Sequence, residues 1–90
     1  MVYFGNGHCK DGYYAGWDGK GEANDGECKD LCMREVQCIF ASHFNDGNRK
    51  TCSRYNEQTC ELETSYAVGR AHRTFQKKGF DLNSRSQILL

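Results

Sequence analysis

Six cysteines carry most of the chemistry available to this chain. Three of them form a Cys-x3-Cys-x5-Cys run at Cys28, Cys32 and Cys38, and Cys52 follows after thirteen intervening residues. Thiols at such spacing can hold a metal, act as nucleophiles or oxidise in pairs. Cys28, Cys32, Cys38 and His43 offer the sulfur and nitrogen donors of a tetrahedral zinc site, but that assignment leaves Cys52 and Cys60 unexplained. A Cys/His catalytic pair needs a free thiolate, and neither His8 beside Cys9, nor His43, nor His72 stands in a nucleophile motif. The three histidines are therefore expected in structural or surface roles. Residues 18–27 are rich in the oxygen donors that calcium favours, yet they lack the alternating acids of an EF-hand and carry Ala23 where its glycine would stand. They read as a glycine-rich surface loop. Oxidation in pairs accounts for every thiol and leaves no catalytic constellation, so neither an enzyme nor a cofactor is expected.

The size of the chain makes such pairing necessary. With 90 residues it forms one domain, too small for a hydrophobic core alone to hold it comfortably. Three bridges, each restricting the unfolded chain by about 2–4 kcal/mol, would match the whole net stability of such a domain. Disulfides in this number persist in oxidising compartments, which points to secretion or a cell-surface position. Met1 is followed by Val2, Tyr3, Phe4 and Gly5 without the apolar stretch of a secretory leader, so a mature form or an excised domain is expected. No apolar run approaches the roughly 18 residues that span a bilayer, so a soluble chain without membrane insertion is expected. A net charge of zero removes the global attraction that nucleic acid or an anionic membrane would exert. The charge is uneven, however: residues 1–45 carry four Lys and Arg against seven Asp and Glu, and residues 46–90 carry eight against five. That asymmetry is either two ordinary solvated faces or a basic patch for an anionic glycan or acidic protein.

The elements that position the cysteines can be read from local pattern. The opening stretch, rich in glycine and aromatics, reads as one short strand and a long loop. Asn24 followed by Glu27 is a capping-box pair, and it predicts a helix over residues 25–35. Cys28 and Cys32, four apart, share a face of that helix with Leu31 nearby. Residues 36–45 alternate, with Cys38, Phe40, Ser42 and Phe44 on one side and Ile39, Ala41 and His43 on the other, as a strand does. Asn45-Asp46-Gly47-Asn48 is a turn signal that returns the chain into an antiparallel strand over 50–55. A last strand is expected over 66–76, with Gly69 marking a bulge or a close backbone approach. The domain is expected to span residues 1–80. Residues 81–90 form a polar tail whose Ile88, Leu89 and Leu90 are either loose or docked.

A helix bearing Cys-x3-Cys, a third cysteine opening a Cys-x-Phe strand and a fourth in a later strand together resemble the PAN/apple domain. The specific part is Cys28-Lys29-Asp30-Leu31-Cys32, Cys38-Ile39-Phe40-Ala41 and Thr51-Cys52-Ser53, and the resemblance covers residues 9–77. It implies an α+β fold, a small disulfide-rich domain with one helix stapled onto an antiparallel β-sheet. It also implies nested bridges, Cys28–Cys52 and Cys32–Cys38, which leave Cys9–Cys60 as the outer pair. The chain departs from the family pattern in its sixth cysteine, because Cys60 follows Cys52 after only seven residues rather than lying in the final strand.

Such domains bind proteins or carbohydrates, and two surfaces of this chain are candidates. Tyr13, Tyr14 and Trp17 form an aromatic cluster able to stack on a sugar or anchor a protein, or else to fill the core. Arg49, Lys50 and Arg54 flank the hairpin turn, and Arg73 and Lys77 share parity on the last strand, which would make a basic face for a sulfated glycan or acidic protein. The expected function is a secreted, non-catalytic module binding extracellular carbohydrate or glycoprotein, adhesion-like or lectin-like. The alternative is a free-standing secreted effector, a toxin, inhibitor or hormone-like ligand, that binds a protein receptor or protease. The residues leave the oligomeric state open.

Overall fold

A computed structural model describes residues 1–16 and 24–77 of the chain. Trp17, most of the candidate calcium loop and the tail over 81–90 lie outside the described residues.

The helix α1, Asp25–Arg34, starts where its cap predicts. Asn24 is extended, and its side-chain oxygen accepts a hydrogen bond from the Glu27 N–H at 2.9 Å. Asp25 and Glu27 in the first turn and Arg34 in the last complement the helix dipole. The helix ends into a turn in which the Glu35 N–H donates to Cys32 O and the Cys38 N–H donates to Glu35 O. Its buried residues are Cys28 and Cys32.

Five strands form the main sheet: β1 (Val2–Asn6), β3 (Tyr13–Ala15), β4 (Phe40–Asn45), β5 (Lys50–Tyr55) and β7 (His72–Gln76), in the spatial order β1-β7-β4-β5-β3. Every pairing in it is antiparallel. The β4–β5 hairpin closes on Gly47, whose φ of +92° favours glycine. Asn45 Oδ1 accepts from the Gly47 N–H, and Asp46 Oδ1 accepts from the N–H groups of Asn48 and Arg49. Those two backbone donors hold the Asp46 carboxyl below its ordinary pKa. A second, two-stranded ribbon joins β2 (His8–Cys9) to β6 (Leu62–Glu63). Gly7 makes the sharp passage from β1 into β2, with a φ of +103° and so close an approach that a Cβ would stand 2.1 Å from Glu63 O.

Strand alternation gives the main sheet two different faces. Ala41 and Cys52 meet Cys28, Cys32 and Cys38 under α1, with Leu31 and Tyr14 packed alongside. On the other side Phe40 and Tyr55 pack with Cys9 and Cys60, and Phe4 sets its ring edge-on to Phe40 at 5.1 Å. The ribbon therefore covers the face that the helix leaves. Between β4 and β7, Ser42 and Thr74 stand opposite each other, both fully buried, with their hydroxyl oxygens 2.6 Å apart. The Thr74 hydroxyl donates to Gly7 O, so the Ser42 hydroxyl is the donor to Thr74.

The six cysteines pair as Cys28–Cys52, Cys32–Cys38 and Cys9–Cys60, the nested arrangement that the resemblance implies. Two bridges lie under α1. The third joins β2 to the segment before β6, which is how Cys60 reaches its partner without a place in the final strand.

Four expectations about the elements need correction. Among its described residues the opening stretch holds three strands rather than one, because β2 and β3 are too short to show a period. The strand expected from residue 36 begins only at Phe40, since the Cys32–Cys38 bridge and the turn at Glu35 occupy the residues before it. The segment expected as a strand over 66–76 opens as a second short helix, α2 (Tyr66–Ala71), and extends only at β7. Ser65 precedes this helix, and Ala67, Arg70 and Ala71 are good helix formers. The described residues thus form a small disulfide-rich α+β domain with two helices among them, not one. Gly69 sits inside α2, where a Cβ would come within 3.3 Å of Thr64 O, a close approach rather than a bulge.

Candidate functional site

The face opposite α1 carries an open cleft of about 410 Å3. Its floor follows from register: His72, Phe44 and Thr51 stand opposite one another across β7, β4 and β5. Ser53 and Tyr55 continue the same parity along β5, and both line the cleft. The ribbon forms one wall with His8, Cys9 and Lys10; Tyr13 of β3 and Arg49 of the hairpin turn complete the rim.

The histidine rings are organised. His72 lies against Phe44, ring centroids 4.7 Å apart, and His8 meets His72 edge-on at 4.9 Å. His72 Nδ1 is 3.1 Å from Val68 O, and His8 Nδ1 is 2.9 Å from Cys9 O. A carbonyl oxygen only accepts, so each Nδ1 carries a proton and donates. Burial, with the neighbouring His8 adding to it, holds His72 below its ordinary pKa, while the Val68 carbonyl pulls the other way. Tyr55, largely buried, is pushed up by desolvation, and its ring meets that of Tyr13 edge-on at 6.1 Å.

The described residues of the lining include two cations, Lys10 and Arg49, two histidines and no carboxylate. The nearest acid to Lys10 is Glu61, whose Oε2 accepts from Lys10 Nζ at 2.6 Å. That pair raises the Lys10 pKa and lowers that of Glu61. Both side chains are exposed, so the pair is easily exchanged for another partner.

Of the expected binding residues, Tyr13 and Arg49 line this cleft. Tyr14, adjacent to Tyr13 on the strand, points to the helix side instead and donates its hydroxyl to Glu35 Oε1 at 2.6 Å. The two tyrosines therefore make no common aromatic surface. The expected basic face is not assembled either. Arg54 is 5% exposed and gives Nε and Nη2 to the Glu35 carboxylate at 2.9 and 3.2 Å and Nη1 to Cys52 O at 3.0 Å. Lys77, also buried, donates Nζ to Glu35 O at 2.9 Å. Burial lowers the Lys77 pKa, and Glu35 partly offsets this. Both cations are turned inward by one residue at the end of α1. Lys50 is exposed, and Arg73 lies 3.3 Å from Asp25 with its guanidinium over the Tyr3 ring.

A smaller hollow of about 300 Å3 lies at the start of α1, around Asp25, His43, Arg70 and Arg73. His43 is 4% exposed and its Nδ1 lies 3.0 Å from Asp25 Oδ1. Among the described residues that line this hollow there is no Ser, Thr, Cys or Lys. The His–Asp pair ties the helix start to the sheet.

Lys10, Phe44, Thr51, Ser53 and Tyr55, together with the His8–His72 contact, were not foreseen as a site. The run Thr51, Ser53, Tyr55 did carry a signal, a set of polar and aromatic side chains on one strand face. The meeting of His8 with His72 had none, because it depends on the ribbon folding over the sheet. Among the described residues, no cluster of three or more His, Cys, Asp or Glu side chains is placed to hold a metal ion. No helix among them is long and apolar enough to cross a membrane. No family model matches the chain, and neither a curated protein nor a solved structure matches it.

Proposed function

We propose that this chain is an extracellular, non-catalytic recognition module that binds carbohydrate, free or carried on a glycoprotein, in the cleft on the ribbon side of the sheet. The observation that supports this most is the side-by-side placement of rings and polar groups on one open sheet face. Tyr13 and Phe44 offer apolar surface, and Thr51, Ser53 and the histidine Nε2 atoms offer hydrogen-bonding groups next to it. A sugar has the matching character, with C–H faces for rings and hydroxyls for polar side chains. The volume falls at the lower end of the roughly 300–1,000 Å3 usual for small-ligand sites, a size suited to one or two sugar units. Three disulfides fit an oxidising, extracellular setting. The cysteine frame and its pairing support the resemblance to PAN/apple domains on the same footing.

The test is a glycan array probed with the disulfide-intact chain, followed by titration of any binder. Saturable selectivity for a sugar class, lost in Tyr13→Ala, supports the reading; Tyr13 is half exposed, so its removal leaves the core in place. Silence on the array together with nanomolar binding to a protein receptor or protease would replace it with the effector reading.

A further inference from the structure

We infer that the Cys9–Cys60 bridge is a redox latch on the cleft wall: a small thiol or dithiol opens it ahead of the other two bridges, and its opening loosens the ribbon while the main sheet and α1 stay folded. The latch acts on the wall whatever ligand the cleft holds. The three bridges differ in access. Cys28, Cys32, Cys38 and Cys52 are 0% exposed, sealed in the cluster under α1. Cys9 is 2% exposed, whereas Cys60 is only partly buried against its cluster. Thiol–disulfide exchange needs a thiolate to reach one of the two sulfurs, so access ranks the bridges and makes Cys60 the point of attack. Attack there forms a mixed disulfide on Cys60 and releases Cys9 as a thiolate, which takes a proton. The second sulfur of a dithiol then displaces Cys60, so the bridge gains two electrons and two protons and the dithiol leaves as a disulfide. Cys9 lines the cleft, and the bond that breaks therefore belongs to the wall itself.

Among the described residues, little else joins β6 to β2. The two strands are two residues each, in register at His8–Glu63 and Cys9–Leu62, and the Lys10 N–H donates to Glu61 O at 2.9 Å. The Lys10–Glu61 ion pair is exposed and adds little. Two-stranded pairing of this length is marginal in water without a covalent tie. The main sheet has no such dependence: β4 is paired along its length with β5 and β7, and the two bridges under α1 are untouched. Opening is therefore local, confined to the ribbon.

Timed reduction of the native chain with dithiothreitol, quenched by alkylation and followed by peptide mapping, tests the ranking. Cys9 and Cys60 are expected to be labelled at least about tenfold faster than Cys28, Cys32, Cys38 and Cys52. Amide hydrogen exchange in the selectively reduced chain reads the consequence. Exchange over residues 8–10 and 61–63 should be at least about tenfold faster than in the oxidised chain, while residues 40–45 keep their protection. Cys9→Ser/Cys60→Ser should show the same exchange pattern with no reductant present, and the reduction of the native chain stands as the test should that variant fail to fold. Labelling of all six cysteines at one rate, or of those under α1 first, overturns the inference. So does a selectively reduced chain whose ribbon amides exchange as before, or one that loses protection throughout the main sheet.

Discussion

Replacing Glu35 by Gln should damage this fold more than its position at the surface end of a helix suggests. The Glu35 carboxylate takes two bonds from the Arg54 guanidinium and one from the Tyr14 hydroxyl, and its backbone oxygen takes the Lys77 ammonium. One residue thus ties α1 to β3, β5 and the end of β7. Glu35→Gln keeps the shape, the Tyr14 acceptor and the Lys77 contact, but takes the Glu35 charge away from the buried Arg54 cation. Removing one member of a buried pair costs about 3–5 kcal/mol. The Arg54 side chain is 6% exposed and that of Glu35 25%, so solvent reaches one end, and the expected loss is about 2–3 kcal/mol. For a domain of this size that lowers Tm by about 8–24 °C. Urea unfolding followed by circular dichroism, with the disulfides intact, measures it as a shift in midpoint at constant m. The companion variant Arg54→Met removes the cation, so adding Glu35→Gln to it should cost far less than Glu35→Gln alone. A single-variant loss under about 1 kcal/mol, or simple additivity in the double variant, would refute the claim that this charge is held by its partner.

Other perturbations probe different parts of the molecule. Cys9→Ser/Cys60→Ser should cost about 4 kcal/mol against about 2 kcal/mol for Cys32→Ser/Cys38→Ser, because the first bridge closes a separation of 51 residues and the second one of 6; equal midpoints in urea would contradict the ordering. Thr74→Val keeps the shape but deprives both Ser42 and the Gly7 carbonyl of a buried partner, and a loss of about 1–3 kcal/mol is expected by the same assay. Tyr14 is held above its ordinary pKa, by burial first and by the Glu35 carboxylate second. The unfolded chain therefore releases that proton first, near pH 10, and stability falls as the pH rises beyond it. The slope above pH 10 should be shallower in Tyr14→Phe, and an unchanged slope would count against this origin.

Parts of this architecture were legible because their signals are local. Asn24 with Glu27 announced the start of α1, Asn45-Asp46-Gly47-Asn48 announced the hairpin, and the spacing of Cys28, Cys32, Cys38 and Cys52 marked the stapled helix face. The ribbon was invisible, since His8–Cys9 and Leu62–Glu63 are two residues each and alternate over nothing. α2 was misread because six residues give too little length to separate a helical period from a strand. The basic face was misjudged for a more instructive reason. Lys50, Cys52 and Arg54 share parity, and Cys52 was already assigned to the helix side; the same parity sends Arg54 under α1. Its burial then depended on an acid arriving from the end of the helix, which strand parity alone does not reveal. The cleft lies on the opposite parity, where Thr51, Ser53 and Tyr55 carry no charge to attract notice.

The two faces of the sheet are locked by separate covalent ties, and this has a consequence for how the molecule can vary. Substitutions on the ribbon, around its own bridge, alter what the cleft meets without reaching the pair of sulfur links beneath α1. In a descendant of this chain His8, Lys10 and Tyr13 could be rewritten, changing the wall and rim of the cleft, while the helix-bearing half stays a constant chassis.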